Sequence, residues 1–413
     1  MFIFRRVFAR RDDKNETDKV VRKNLEKNNC KLGNHSVLVS DLILQLNEDL
    51  DDFYLTRTDT TVLFERCNKF FHSTTTNLEN MYLVKKNQIN FASIKILNIL
   101  KTSRILKVEN ASKGTQLKLL VHLNNNITAI VKPKWYSNFD IINGPVYAGK
   151  DRHFGEVVAF FISVLMDLPR VPPAAIRIFN LHKEIISVAD KKLLSTFITK
   201  NNNICFYGVC LYCNPSDLLC TDSKILEGSI IYYLSSKLTL KIMRHPWGRT
   251  YKCSTLARWE TDEYYCTTVK NSKFYSSRQN RALFLDFMDV AIFDFLISNG
   301  DRHHFEYIAT SQNPRILMID NGKSFGNPYA DYIDILAPLY QCCKLRNSTF
   351  NNLLKLRGGN FSKWLQYLIK QSDRDVVINN LHYAALDRRL LLIFAALKYC
   401  FQKHGMQNVI VEE

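Results

Sequence analysis

The sequence predicts an α+β chain of two lobes, the first rich in β-strand and the second helical, with insertions stapled by disulfides. Three observations carry that expectation. Dense apolar alternation begins at Ile94 and runs to Val131, helical periodicity dominates beyond about residue 280, and eight of the eleven cysteines lie in the second half of the chain. A length of 413 residues suffices for two lobes around a large core plus an N-terminal appendage. A hydrophobic content of 46% describes an ordered chain.

The elements follow in order. Residues 1–85 form an N-terminal arm, polar, charged and rich in Asn and Thr, with one apolar-periodic stretch over Val37–Leu50 that reads as a helix. The opening MFIFRRVFARRDDK is broken by Arg5 and Arg6 and is far shorter than a signal core or a membrane span. Residues 86–226 form the first lobe. Gln116–Leu123 and Ile127–Val131 read as paired strands joined by a turn at Asn124, Asn125 and Asn126. Gly155–Leu168 has a helical stripe of Val157, Phe160, Phe161, Val164 and Leu165, stopped by Pro169, Pro172 and Pro173. A cysteine-rich loop spans Cys205–Cys220. Residues 227–413 form the second lobe, with helices expected over Ala282–Ser298, Asn351–Leu356, Phe361–Gln371 and Leu381–Lys403.

The net charge of +17 favours polyanionic partners, whether nucleic acid, anionic membrane, nucleotide, or sulfated and phosphorylated sugars. No RNA- or DNA-binding signature accompanies it, so no nucleic-acid partner is expected. Cys205, Cys210, Cys213, Cys220, Cys266, Cys342, Cys343 and Cys400 suggest disulfides and an oxidising compartment. The first four also offer four thiols within sixteen residues, a spacing open to zinc. Sequons begin at Asn15, Asn34, Asn110, Asn126, Asn347 and Asn360.

Certain residues carry chemistry. Ser112–Lys118 reads SKGTQLK ahead of a strand, a simple turn or a one-glycine phosphate loop. Lys132 closes the second strand, either as a solvated strand end or within reach of phosphates. Glu156, near the start of a helix, is favourably placed against the helix dipole, or else partners Lys132 or a metal. FLISNGDRHHFE follows an apolar helix and sets Asp301 in a loop. Nineteen residues on, ILMIDNGKSFG puts Asp320 after a β-like run and before a glycine. A loop aspartate, a strand, and then Asp-x-Gly is the order of a kinase C-lobe. Phosphoryl transfer asks for a cation on the phosphates, carboxylates for metal, and a carboxylate facing the acceptor hydroxyl. Glu306, five residues after Asp301, stands where kinases usually place a metal-binding Asn, and would make the site more acidic. His303 and His304 read as packing or hydrogen-bonding residues ahead of a metal role.

Six stretches, DRHHFE, DNGKSFG, HPWGRTY, CFYGVC, YAGKDRH and APLYQCC, together resemble the secretory-pathway atypical kinases related to the Golgi casein kinase. Within that family the xylosylkinase branch is the nearer, because Cys210-Leu-Tyr-Cys213 has two intervening residues and HPWGRTY carries its glycine. The resemblance spans roughly residues 90–413. It implies a bilobal, atypical protein-kinase-like fold in the Golgi lumen and transfer of phosphate from ATP to the 2-hydroxyl of xylose in the proteoglycan linkage region. Alternatives within its reach are a secretory protein serine kinase and an allosteric pseudokinase. It implies ATP with Mn²⁺, or Mg²⁺, as cofactors. Lys132, Lys118 and Gln116 would meet ATP, Glu227, Gly228 and Ser229 would form the interlobe hinge near adenine, Glu156 and Asp320 would bind metal, and Asp301 would be catalytic. By motif position Asp151, Arg152, Trp247 and Arg249 are candidates for the acceptor groove. The resemblance also implies the pairs Cys205–Cys220, Cys210–Cys213, Cys266–Cys342 and Cys343–Cys400, leaving Cys30, Cys67 and Cys253 unassigned. The family's Arg-His-Asn-Ala-Glu reads Arg152-His153-Phe154-Gly155-Glu156 here, altering the neighbours of the metal carboxylate. The family's signal anchor is not visible, which an incomplete gene start would explain. The basic surface suits contact with glycosaminoglycan chains.

Overall fold

The apolar alternation after Ile94 builds a five-stranded antiparallel sheet. In this computed structural model the described residues are 34–47, 50, 60–72 and 94–412, apart from 113, 125, 222–223, 235–238, 253, 310 and 312–313. The chain start, Cys30, Cys253, Asn15 and Asn125 lie outside them.

Helices α1 (Asn34–Leu46), α2 (Thr61–Phe71) and α3 (Ile94–Thr102) precede β1 (Ile105–Asn110), β2 (Leu119–Leu123) and β3 (Thr128–Pro133). Leu123 and Ile127 close the β2–β3 turn through a 2.8 Å backbone bond, with Asn126 at a positive φ of 54°. The strand expected from Gln116 begins at Leu119, because Gln116 turns away to accept a bond from the Asp151 amide. Helix α4 (His153–Leu165) is buried on every side, as its nearly all-apolar sequence requires. Then come β4 (Ala174–Asn180), a small three-stranded sheet of β5 (Phe197–Lys200), β6 (Asn203–Phe206) and β7 (Leu219–Cys220), and β8 (Ile225–Tyr232). The main sheet runs β1-β2-β3-β8-β4.

The second lobe opens with β9 (Leu240–Arg244) and α5 (Tyr265–Lys270), followed by α6 (Arg281–Ile297), β10 (His304–Ile308) and β11 (Ile316–Leu317). It continues through α7 (Ala337–Cys342), α8 (Asn347–Lys355), α9 (Asn360–Ser372) and α10 (Asn380–His404). Strand β10 sits between β9 and β11, and the bends before and after β10 and β11 present the loops at Asp301 and Asp320. Among the described residues no helix is long and apolar enough to cross a membrane.

Two expectations change. The stretch read as a loosely tied arm contains two helices that enter the core: Val39, Ile43, Leu63, Cys67 and Phe70 are buried. Phe70 packs its ring against Phe160 and Phe161 of α4, with centroids 6.1 and 6.3 Å away. The apolar stripes of α1 and α2 need partners: α1 packs on α10 of the second lobe, and α2 on α4 of the first lobe and α9 of the second. The lobe boundary set at 226/227 falls inside β8, which pairs β3 and β4 as far as Tyr232, so the sheet ends later. All four expected disulfides form: Cys205–Cys220, Cys210–Cys213, Cys266–Cys342 and Cys343–Cys400. Cys67 is a buried free thiol.

Candidate active site

The strand lysine, the helix glutamate and the Asp-x-Gly loop converge on one point. Lys132, on β3 beside Ser229, turns its Nζ into a buried node of carboxylates, 2.6 Å from Glu156, 2.8 Å from Asp151 and 2.5 Å from Asp320. Burial alone would lower the Lys132 ammonium, but Asp151, Asp320 and Glu156 overcome it and raise it well above the usual range. Lys118, from the end of the glycine-bearing turn, reaches the second oxygen of Asp320 at 3.1 Å. Enclosure would raise the Asp320 carboxyl, but Lys132 and Lys118 hold it well below the ordinary value. The Asp320 carboxylate is still about half exposed, at 56%, and faces the cleft.

Backbone geometry holds the node in place. Asp320 adopts φ 63°, a left-handed conformation that a non-glycine residue occupies only when its surroundings impose it. Those surroundings are visible. The Asn321 amide donates to Glu156 at 2.9 Å, and the Asn299 side chain donates to the Asp320 carbonyl at 3.3 Å. Gly322 lets this loop approach Asp151, since a Cβ there would stand 2.5 Å from the Asp151 carboxyl carbon. Gly155, the departure beside Glu156, has a related role, with its absent Cβ 3.0 Å from the Asn321 carbonyl. Phe154 turns away from the carboxylates and packs on Phe325 and His382. The unusual pair therefore leaves Glu156 in the node.

Asp301 follows α6 and faces the same cleft. Burial raises its carboxyl, partly offset by a 2.5 Å bond from the Tyr251 hydroxyl and by the charges of His303 and Lys323. Arg302 anchors the loop: its guanidinium bonds Asp294 of α6 at 2.6 and 2.8 Å, the Ile319 carbonyl at 2.6 Å and Asn321 at 2.8 Å. One side chain thus joins the Asp301 loop to the Asp320 loop. The cleft holds about 560 Å³ and is lined by Ser112, Gly114, Lys118, Lys132, Glu156, Asp301, Glu306 and Asp320 along with apolar groups from both lobes. Glu306, on β10, lines this cleft, and so do His303 and His304.

The structure separates other candidates from the cleft. Glu227, Gly228 and Ser229 lie within β8, and the chain lining the cleft at the sheet's end is Ile231–Leu234. Gly228 reads as a hinge in sequence but serves strand packing, because a Cβ there would meet the Lys132 carbonyl at 2.7 Å. Glu227 instead binds Lys134 at 2.7 Å and His153 at 3.0 Å, and these contacts lower its carboxyl to about 2. Trp247 is core: it is buried against Phe287 and Tyr265 and donates to Gln341 at 2.8 Å. Arg249 pairs with the buried Asp334. Arg152 is buried on the carbonyls of Ser324, Ala148, Lys150 and Lys323. Asp151 belongs to the Lys132 node. Sequence reasoning missed Tyr251, Asn321 and the bracing role of Arg302. Each stands in a quoted motif, Arg302 in DRHHFE, Tyr251 in HPWGRTY and Asn321 in DNGKSFG, but a motif position alone does not say what the side chain touches.

Comparison with known proteins agrees with this geometry. Residues 69–409 match the family described as Golgi casein kinase, C-terminal, Fam20. The human glycosaminoglycan xylosylkinase is 43% identical over 319 residues, covering 77% of this chain and 77% of its own. A hydra Fam20 solved with sugar superposes with a TM-score of 0.74 at 38% identity, covering 84% of this chain and 98% of that one. The Golgi casein kinase with Mn and ADP bound gives 0.74 at 27% identity, covering 99% and 94%. The chain belongs to the Fam20 family and has the Golgi casein kinase-like fold, in which the Asp301 and Asp320 loops and the lysine–carboxylate node face one cleft.

Proposed function

We propose that this chain is an ATP-dependent kinase that phosphorylates the 2-hydroxyl of xylose in the glycosaminoglycan–protein linkage region. The observation that carries the phosphotransferase reading is the Lys132–Glu156–Asp320 node lining the same cleft as Asp301. Likeness to a xylosylkinase, and to a Fam20 solved with sugar, supports the acceptor.

Among the described residues no group of three His, Cys, Asp or Glu side chains could hold a metal alone, and the carboxylates of the node close on Lys132. Mn²⁺ or Mg²⁺ with a nucleotide asks for less, since phosphates complete a shell begun by one or two carboxylates. Glu156 and Asp320 are such hard-oxygen donors, and Asp320 is open to the cleft. They would hold the ion, which when bound neutralises phosphate charge. Lys118 and Lys132 neutralise Asp320 within the node and would turn toward phosphate oxygens. Asp301 receives the acceptor proton. As the acceptor oxygen bonds to the γ-phosphorus, the bond from that phosphorus to the β–γ bridging oxygen breaks and ADP leaves. The upward shift of Asp301, caused by burial, makes it a better proton acceptor.

The family's secretory character and the four disulfides support an oxidising lumen, and we assign the reaction to the Golgi. A transfer assay with labelled ATP and Mn²⁺ tests the reading, offering a galactosyl-xyloside and an acidic serine peptide side by side. Label on the sugar, abolished in Asp320→Ala, is the expected result. Label on the peptide alone would move the chain to the protein-kinase branch. ATP binding without transfer to either would make it a pseudokinase.

A further inference from the structure

The Asn-x-Ser/Thr sequons are not equal once the chain folds. Asn15 and the side chain of Asn34 lie outside the described residues, which leaves Asn110, Asn126, Asn347 and Asn360 to compare. At the end of β1, Asn110 accepts the Val209 amide on Oδ1 at 2.7 Å, while its Nδ2 is buried without a partner. The cysteine-rich loop lies so close that a Cβ on Gly208 would stand 3.2 Å from the same Oδ1. The nitrogen that would carry a glycan has no path to solvent there. Asn347 has both side-chain atoms engaged, donating to Glu412 at 2.8 Å and accepting from Asn351 at 2.9 Å. Its sequon hydroxyl, Thr349, is buried on Asp289 at 2.7 Å. Asn360 opens α9 with its Nδ2 turned back 3.4 Å from the Lys355 carbonyl, and Ser362 donates to the Gly359 carbonyl at 3.2 Å.

Asn126 differs from all three. It stands exposed at the tip of the β2–β3 turn, and its side chain makes no hydrogen bond among the described residues. The turn is fixed without it, by the backbone bond between Leu123 and Ile127. Its φ of 54° is the left-handed conformation that asparagine tolerates better than most residues, and it holds the side chain at the crest of the turn. Thr128, which supplies the sequon hydroxyl, is half-buried at the start of β3 opposite His122. Lys132 lies four residues further along the same strand, about 13 Å away at the usual strand rise. None of the turn's described residues lines the cleft.

We propose that Asn126 is an N-glycosylation site of this protein and that Asn110, although it has the same sequon, stays bare in the folded molecule. The inference rests on the luminal reading above. The donor is an oligosaccharide joined through C1 to a lipid diphosphate. The Asn126 Nδ2 bonds to that C1, the bond from C1 to the phosphate oxygen breaks, and the lipid diphosphate leaves. One amide proton passes to a base of the transferring enzyme. A bulky, hydrated substituent belongs at an exposed turn tip, where no backbone or side-chain contact has to yield. A chain carrying it on Asn126 closes the β2–β3 turn unhindered. On Asn110 the same group would displace the cysteine-rich loop, and with it the Val209 bond. Because the turn stands away from Lys132 and outside the cleft lining, the glycan leaves phosphoryl transfer untouched.

The full chain, carried into the lumen of a eukaryotic host by an appended cleavable leader, is purified as secreted protein that binds ADP–Mn²⁺. Its peptides are then mapped by mass spectrometry. The Asn126 peptide should carry a glycan, and an amidase that cleaves the glycan–asparagine bond should leave aspartate there. The Asn110 peptide should be unmodified. Asn126→Asp, which tolerates the left-handed backbone, and Thr128→Val, which keeps the β-branched strand residue, should each lose one glycan from the intact mass. Thr128→Ser should keep it. Transfer by Asn126→Asp should match wild type in kcat and ATP KM. Should either variant fail to fold, the wild-type peptide map still decides. Secreted wild type bare at Asn126 would overturn the inference. So would occupancy of Asn110 equal to that of Asn126, since burial would then select nothing. Protein isolated from its own source cells and bare at Asn126, beside a leader-driven chain that is modified, would instead overturn the luminal reading beneath it.

Discussion

Lys132 meets three carboxylates at once, and its removal tests the site more sharply than removal of any single partner. Glu156 and Asp151 are buried, so losing the ammonium leaves uncompensated charge in a poor dielectric. Lys132→Met should abolish transfer and destabilise the fold by about 3 kcal/mol at pH 7, the lower end for a broken buried pair. The pH dependence has a definite sign. The folded Asp320 carboxyl is depressed, so its contribution is complete above the unfolded value near 3.9 and fades as pH falls below it. The gap between wild type and variant should therefore hold from neutrality down to about pH 4 and narrow as pH falls further below it. Urea midpoints for both proteins across that range would show it. A gap that stayed constant, or widened in acid, would mean that the carboxylates do not depend on Lys132. Each member of the node was legible in the sequence from its own motif. What could not be read was Asp151 joining them, because its partner stands on a strand nineteen residues back.

At the scale of elements, the helices α4, α6, α9 and α10 were readable because long apolar periodicity survives any tertiary context. Two kinds of feature were not. Helix α6 carries Asp286 and Asp289 with both side chains fully buried, bound by Arg170, Arg315 and Arg346 from three separate segments. Local pattern marks such aspartates as errors, and only the assembled fold supplies their partners. The other is α2. Its surroundings are polar and its apolar stripe is short, so the sequence suggested an arm, but Phe70 sits at 1% exposure among the phenylalanines of α4. If α2 is structural, Phe70→Ala should cost about 3–5 kcal/mol, as for a large core ring. An arm would lose almost nothing. Thermal and urea unfolding of the variant distinguish the two, and a shift under 0.5 kcal/mol, the range for surface changes, would restore the arm.

For the whole molecule, the disulfides divide into two working groups that the sequence could count but not distinguish. Cys266–Cys342 closes a separation of 76 residues and Cys343–Cys400 one of 57, together fastening α5, α7 and α10 of the helical lobe. Cys210–Cys213 closes a separation of only 3 and belongs to the loop beside the glycine-bearing turn. That loop braces the glycine-bearing turn: the Tyr212 amide donates to the Thr115 carbonyl at 3.0 Å, and Val209 donates to Asn110 at 2.7 Å. Chain-entropy arguments assign the 76-residue closure about 4.5 kcal/mol and the short one about 2, before any native-state adjustment. Replacing Cys266 and Cys342 by serine should thus lower stability strongly while leaving the ATP KM of the surviving folded enzyme near that of wild type. Replacing Cys210 and Cys213 should do the reverse, with a small stability loss and an ATP KM raised severalfold as Thr115 and Lys118 lose their support. Unfolding midpoints and ATP saturation curves on both double variants decide it. Parallel losses of stability and ATP affinity in the two would show one cooperative scaffold. Divergent losses would show a stapled helical lobe beside a separately pinned nucleotide turn, as the hydrogen bonds from Tyr212 and Val209 require.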